Sequence, residues 1–522
     1  MNNMKLYRVL SLIVIVSVSL LTGNCVNKEK QEKNNQPSFS SSFDSTLVET
    51  FYSKYPKLAE YKNEVVSVYQ ANSYEYVWYD KNGRKETADV IFDKINNLLE
   101  DGVIAEVPYN EAFEALFQKG SDKADLTVDL FLSNYYFYYA NKVLRGIDKT
   151  KTNELGWFLP RKKLSYVTYL DSLLLDPTLI DKKNQHIEQY YKLKAVLKRY
   201  RNVEQKGGWS SIEVPDGFVS VRPGDSSGVV AKIRTRLFLT GDIDVDSGSK
   251  IYESTLQKGV LKYKKRNGFT LSKNILPKHI DEMNVPVSSR IKTIMVNMER
   301  CRWISADVTK AEEFIAVNIP AYRLTYFKKG KVVLNSNVVV GNVLNKTVIF
   351  SGKMSFIVFS PYWNVPQSIK EKEILPGIEK NENYLAEHNM EWEGKNIRQK
   401  PGKDNSLGLV KFLFPNNNNI YFHDTPAKEL FNAEKRAFSH GCIRVEKPTE
   451  LANLILENDA NWTPEKIDAA MNKGEEFRYT LKDKIPVYIG YFTAWVDDEG
   501  TINFYKDIYE RDKRLAAILV DE

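Results

Sequence analysis

Cysteine is close to absent from this chain, with three in 522 residues: Cys25, Cys301 and Cys442. Cys25 ends an apolar leader, so only two distant thiols are left for the rest of the protein. That excludes a disulfide-stapled scaffold. An apolar run long enough to cross a bilayer is missing from the leader too. Leu10 to Leu21 falls short of the roughly 20 residues a spanning helix needs. Nor is charge of one sign concentrated. A net charge of +7 over this length, with no dense basic stripe, argues against nucleic acid as a partner. It suits work beside anionic envelope polymers, and solvated lysines account for it equally well.

Lys5 and Arg8 precede the apolar run, as in an export signal. Leu20-Leu-Thr-Gly-Asn-Cys25 resembles a lipoprotein processing site, although Asn24 stands where a small residue is usual. The expectation is a signal peptide over residues 1–25 and a lipid on Cys25. The chain would then be anchored to a membrane on the periplasmic side of the cell envelope. The other readings are an ordinary signal peptide or an uncleaved anchor. Asn27 to Phe43 is polar and then Ser-rich, which predicts a flexible tether over residues 26–45.

About 500 further residues allow two to four domains. Ala88 to Leu99 and Leu126 to Leu144 carry apolar residues at helical spacing. Tyr135-Tyr-Phe-Tyr-Tyr139 reads as a sugar-binding face or, better, as a buried helix. No residue set here suggests chemistry, so residues 46–208 are expected to be a helical scaffold. Lys206-Gly-Gly208 breaks the pattern. Val287 to Trp303 predicts a connecting helix, with Cys301 a structural residue near its end. Strand character follows over Phe314 to Phe327, Lys331 to Val340 and Met354 to Phe359, with a turn at Lys328-Lys-Gly330. Val410 to Phe414 and Asn419 to His423 read as strands. Ile485 to Ile489 and Thr493 to Asp498 read as the final ones. Residues 367–404 interrupt the strands with helix-forming and loop sequence. An insertion of that size is often a lid.

The chemistry concentrates between Tyr421 and Arg444. His423 lies nineteen positions before Cys442, and Ser439-His-Gly-Cys442 places another histidine and a glycine directly before the thiol. A free thiol near pKa 8.5 is only about a few per cent thiolate at neutral pH. A histidine in reach can take its proton, and cationic Arg444 favours the charged form. Gly441 frees the backbone to approach closely and leaves amides to meet a developing oxyanion. Two other readings compete. A lone cysteine is commonly a small core residue, and His423, His440 and Cys442 could be metal ligands. Structural zinc wants a fourth ligand, and none lies nearby in sequence.

The whole string, with His423 and Ser439-His-Gly-Cys-Ile-Arg444 in order, resembles the signature of the L,D-transpeptidases with the YkuD-type catalytic domain. Val317-Asn-Ile-Pro-Ala-Tyr322 and Pro361-Tyr-Trp-Asn-Val-Pro366 carry the same likeness. Val221-Arg-Pro-Gly-Asp-Ser226, Gly241-Asp242 and Asn284-Val-Pro286 resemble a small three-helix peptidoglycan-binding module over residues 209–286. Ser272, Lys273 and Leu276 depart from its usual turns.

The resemblance implies an α+β multidomain protein. A β-sandwich-like catalytic domain over residues 287–522, with its lid inserted, would follow the scaffold and the module. It implies an acyltransferase working through a Cys442 thioester, with His423 as base and no metal or organic cofactor. Its partners would be peptidoglycan stem peptides, a tetrapeptide donor and an amine acceptor, and carbapenems would acylate the thiol. Gly441, Cys442 and the Tyr421 hydroxyl would hold the oxyanion, and His440 would orient the loop. Arg444 would tie the loop down or steer a carboxylate, and Ser439 would position His423. L,D-carboxypeptidase activity, attachment of a protein amine and non-catalytic peptidoglycan binding remain the alternatives.

Overall fold

The computed structural model describes residues 42–120, 123–161 and 164–521. Cys25, the leader and most of the expected tether lie outside the described residues. Among the described residues no helix is long and apolar enough to cross a membrane.

The protein is a mixed α+β multidomain chain, helical at the N-terminal side and β-rich at the C-terminal side. The scaffold is built around the helix Leu126–Tyr139. The Asp125 carboxylate caps its start, accepting from the amides of Thr127 (2.8 Å) and Val128 (3.1 Å). Every side chain from Val128 to Tyr139 is buried, so this helix is a core element on all faces. The aromatic run is therefore packing and no sugar platform. Tyr135 and Tyr136 donate their hydroxyls to the carbonyls of Pro108 (2.8 Å) and Tyr166 (2.6 Å), which satisfies the polar tips that burial would otherwise penalise.

A second core runs through both halves of the molecule. Helices Glu188–Gln205 and Val287–Arg302 pack with the catalytic sheet in one continuous hydrophobic cluster. The scaffold even lends a strand, Trp157–Phe158, which pairs in parallel with Ile349 and Phe350 of that sheet. Buried Glu299 fastens the joint. One of its oxygens accepts from the Ile147 amide (2.6 Å) and Trp303 Nε1 (2.7 Å), and the other from Arg302 (2.7 Å). A buried charge is tolerable only when paired and hydrogen-bonded in this way.

Three short helices, Gly228–Leu239, Ser254–Arg266 and Pro277–Met283, enclose a separate small core. Its Arg266 and Asp242 form a buried two-point pair at 2.7 and 2.6 Å. Around Ser272 and Lys273, Lys264 Nζ donates to Ser272 Oγ (2.9 Å) and the Asn274 carbonyl (2.5 Å), and Tyr252 donates to the Lys273 carbonyl (2.6 Å). This turn is thus held from inside.

The catalytic sheet comprises β1 (Glu313–Asn318), β2 (Arg323–Lys328), β3 (Lys331–Gly341), β4 (Ile349–Phe359), β5 (Val410–Leu413), β6 (Phe422–His423), β7 (Ala437–Ser439), β8 (Ile443–Val445) and β9 (Phe477–Gly490). The order β5-β6-β8-β3-β2-β1-β9-β4 closes on itself because β4 also pairs with β5. The faces of the expected sandwich are therefore joined into one continuous sheet, while β7 lies along the end of β3.

Three local expectations are corrected. The run Phe314 to Phe327 is two strands, broken where Tyr322 takes φ +51°. Only Phe422 and His423 of the expected Asn419–His423 strand pair in the sheet, because Asn416 folds its side chain onto the carbonyls of Phe414 and Ile420 and holds the preceding residues in a turn. Ala494–Val496 is not final, since it turns back to pair with Ile502–Phe504.

The insertion is also more ordered than helix and loop. Met390–Glu393 and Asn396–Gln399 form a hairpin that joins Trp363–Asn364 in a three-stranded sheet. Val365, Ile369, Ile374, Met390 and Ile397 give it a core of its own.

Candidate active site

The topology explains how the segments that carry a histidine and a cysteine nineteen residues apart come to lie side by side. Strands β6 and β8 pair in parallel, with Phe422 beside Ile443 and His423 beside Arg444. The Ile443 amide donates to the Tyr421 carbonyl (3.1 Å), which sets Tyr421 level with Cys442.

Cys442 is partly exposed at the mouth of the loop before β8. Its thiol donates to the Asn419 carbonyl at 3.6 Å. Burial of the sulfur pushes its pKa up, against the pull of hydrogen bonds from Tyr421 and of the Arg444 charge. The resting group is thus a thiol. Arg444 acts in the expected direction but does not outweigh burial. Cys301 is fully buried in the helix Val287–Arg302, and burial drives its pKa far up.

His423 is buried, and its Nδ1 lies 2.5 Å from the Asp424 carbonyl. A carbonyl only accepts, so Nδ1 carries the proton and Nε2 keeps the lone pair. Burial first, then the charge of Arg444, holds the ring neutral with a pKa pushed down to about 3. The group that orients His423 is therefore the Asp424 backbone. The expected role of Ser439 is corrected accordingly: its carbonyl accepts from the Asn342 amide (2.9 Å). Its hydroxyl donates to the Cys442 carbonyl (2.5 Å) and accepts from the Gly441 amide (3.2 Å). Ser439 braces the loop that carries Cys442 and makes no hydrogen bond to His423 among the described residues.

That arrangement also narrows which amides of the loop are left to donate. The Gly441 amide is engaged by Ser439, whereas the Cys442 amide has no partner among the described residues. Gly441 sits at φ +114°, and a Cβ there would meet nothing closer than 3.8 Å. Its requirement is conformational. The loop is held from behind by residues that the motif does not contain. Thr347 Oγ1 donates to the Gly441 carbonyl (2.9 Å) and accepts from the Gly341 amide (2.9 Å). The Tyr509 hydroxyl donates to the Gly341 carbonyl (2.6 Å) and accepts from the Thr347 amide (3.2 Å).

Asp424 is buttressed in turn. Its carboxylate accepts from the Leu409 amide (2.9 Å) and pairs with Lys428. It occupies the space that a side chain on Gly408 would need, at 2.3 Å from an added Cβ.

His440 does not orient the loop through the site. Its ring is half exposed, and Nε2 lies 3.3 Å from Glu373 Oε1, so it faces the insertion. Arg444 makes no hydrogen bond to the loop among the described residues, and its Nε is buried without a partner. Also among the described residues, no three His, Cys, Asp or Glu side chains gather as metal ligands would. Motif reading missed Asp424, Asn419, Thr347 and Tyr509. The only signal for Asp424 was its adjacency to His423.

Comparison with known proteins finds two family matches. Residues 312–488 match the L,D-transpeptidase catalytic domain (YkuD), and residues 63–197 match the Scaffold domain. A Haemophilus influenzae protein named "Putative L,D-transpeptidase" is 34% identical over 222 residues, 38% of this chain and 45% of that protein. The alignment thus spans less than half of the relative's length. Among solved structures, an L,D-transpeptidase from Stackebrandtia nassauensis is 14% identical, with 54% of this chain and 96% of that one covered and a TM-score of 0.21. One from Mycobacterium smegmatis is 11% identical, with 34% and 59% covered and a TM-score of 0.20.

Proposed function

Since this chain carries a YkuD-type L,D-transpeptidase catalytic domain and a scaffold domain, we propose that it forms 3–3 cross-links in peptidoglycan through a Cys442 acyl-enzyme. The observation that carries the reading is the contrast in access. Cys442 is the partly exposed thiol, in a loop braced by Ser439 and Thr347.

His423 Nε2 takes the thiol proton as sulfur attacks the carbonyl of the third residue of a donor tetrapeptide. The C–N bond to the terminal D-alanine breaks, and the same proton passes to its departing amine. A thioester remains. An amine from a neighbouring stem then attacks it, loses a proton to His423, and the thiol is restored as sulfur leaves. The Cys442 amide and the Tyr421 hydroxyl stabilise the oxyanion of each tetrahedral intermediate. With a pKa near 3, His423 holds that proton only in passing. Arg444 faces the carboxylate of the incoming stem. The insertion covers bound substrate, with Glu373 and His440 at its edge. The domain works in the cell envelope, tethered through a lipid on Cys25.

Incubating the protein with purified muropeptides and resolving products by mass tests this. A dimer of two stems with loss of one D-alanine supports transfer. A tripeptide stem alone would make the enzyme an L,D-carboxypeptidase, and no product would sink both readings.

A further inference from the structure

The chain enters β6 through a turn of four asparagines, Asn416 to Asn419. Asn416 closes that turn with both ends of its amide. Nδ2 donates to the carbonyls of Phe414 (2.6 Å) and Ile420 (2.8 Å), while Oδ1 accepts from the amides of Asn418 (3.0 Å) and Ile420 (3.3 Å). A side chain bonded in this way takes over from backbone pairing and fixes the course of the chain. Asn419 takes φ +51°, in the left-handed region that asparagine tolerates and a β-branched residue does not.

The turn sets one atom beside the thiol. The Cys442 sulfur lies 3.6 Å from the Asn419 carbonyl and donates to it, and no hydrogen bond joins it to His423 among the described residues. A carbonyl only accepts, so this contact suits the protonated sulfur and opposes the thiolate, whose charge would face the negative end of the C=O dipole. Against it stand the Tyr421 amide and hydroxyl and the Arg444 charge, which favour the thiolate. Of the other groups at the site, His423 is neutral and His440 faces Glu373, and residues 416–419 carry no titratable side chain. Protonated and ionised sulfur thus have different partners.

We propose that Asn416 is a positioning residue for the Cys442 chemistry: by holding the turn it presents the Asn419 carbonyl to the thiol and keeps the proton off His423 in the resting protein. The inference rests on Cys442 as the reactive group. An S–H···O bond is weak, so the hold is slight. Activation is then an exchange of partner, from the Asn419 oxygen to His423 Nε2, and the turn sets how readily it happens.

The test is the pH profile of Cys442 alkylation by iodoacetamide in the full chain, read on the peptide containing Ser439 to Arg444. Asn416→Ala unfastens the turn, and Asn419→Val forces it out of the left-handed conformation. Both should lower the midpoint by about half a pH unit or more, which raises the rate near neutrality about threefold. Asn419→Gly keeps the carbonyl and suits the same φ, so its midpoint should stay with wild type. In infrared difference spectra against Cys442→Ala, the S–H stretch should move to higher frequency in Asn416→Ala, as a donor released from a carbonyl does. A midpoint unchanged in both variants, or a rate raised equally at every pH, which improved access alone produces, overturns the proposal. So does an S–H stretch that stays where it was. If Asn416→Ala does not fold, Asn419→Val against Asn419→Gly decides by the same readouts. Wild-type Cys442 alkylated no faster than Cys301 would sink the reactive thiol itself, and with it this role for Asn416.

Discussion

Cys301 and Cys442 are the same side chain in opposite settings. Cys301 is fully buried on a helix shared by the scaffold and the catalytic sheet, among Ile294, Met298 and Trp303 of the same core. Cys442 lies in a loop whose backbone is pinned by Ser439 and Thr347, and the residue is partly exposed. Burial raises both thiols, but only at Cys442 do hydrogen bonds from Tyr421 oppose it. What separates the two thiols here is access and bracing, since a full positive charge adjoins each: Arg300 and Arg302 beside Cys301, Arg444 beside Cys442.

Substitution breaks the comparison most directly. Cys442→Ala should cut turnover by at least about four orders of magnitude, as losing a covalent nucleophile does. Cys301→Ala should leave turnover near wild type and shift stability by about 1 kcal/mol. Steady-state kinetics beside thermal melts decides, and equal losses of turnover at both positions would erase the distinction.

His423→Gln should slow acylation about 100- to 10,000-fold, the usual worth of a general base. Stopped-flow acylation by a carbapenem measures it.

The pH dependence sharpens the contrast further. His423 is neutral from a pKa near 3 upward, whereas the Cys442 pKa is raised. Alkylation of Cys442 should therefore climb about tenfold per pH unit through neutrality, levelling only above the ordinary thiol range. A limb near pH 6 to 7, where an unperturbed histidine titrates, would contradict the neutral imidazole.

The bracing is next. Thr347→Val removes the bond to the Gly441 carbonyl and should lower turnover by about tenfold to 100-fold through misplacement of the thiol. It should also cost about 1–3 kcal/mol for the buried carbonyl left unpaired. Normal turnover in a destabilised variant would show that the loop does not need this support.

Smallest is the lid contact. Glu373→Gln should change KM at most about fivefold, and less at high salt, because the pair with His440 is exposed. An effect larger than Thr347→Val would move the lid to the centre of the account.

These differences mark what a sequence can and cannot express. The His423 and Ser439–Arg444 string, the core helix Leu126–Tyr139 and the strands flanking Lys328-Lys-Gly330 are legible because side-chain type and spacing specify them. The orientation of His423 is illegible, because the atom that does it is the Asp424 carbonyl, which every residue has. Thr347 and Tyr509 are hidden for another reason. They lie 94 and 168 residues from the atoms they hold, Gly441 and Gly341, and only the closed sheet makes them neighbours. The insertion's hairpin turns at Gly394, at φ +60°, and one glycine in a polar run does not by itself specify a hairpin. Its four-residue strands are too short for alternation to speak clearly. The resemblance places Ser439 against His423, whereas its hydroxyl turns back onto its own loop.

The most direct test of the central claim is intact-protein mass spectrometry after brief exposure to a tetrapeptide stem without acceptor, followed by digestion. The account predicts one added tripeptide acyl group on the peptide containing Ser439 to Arg444, lost in Cys442→Ala and retained in Cys301→Ala. An adduct on Cys301, or turnover of the stem with no adduct at Cys442, would contradict it.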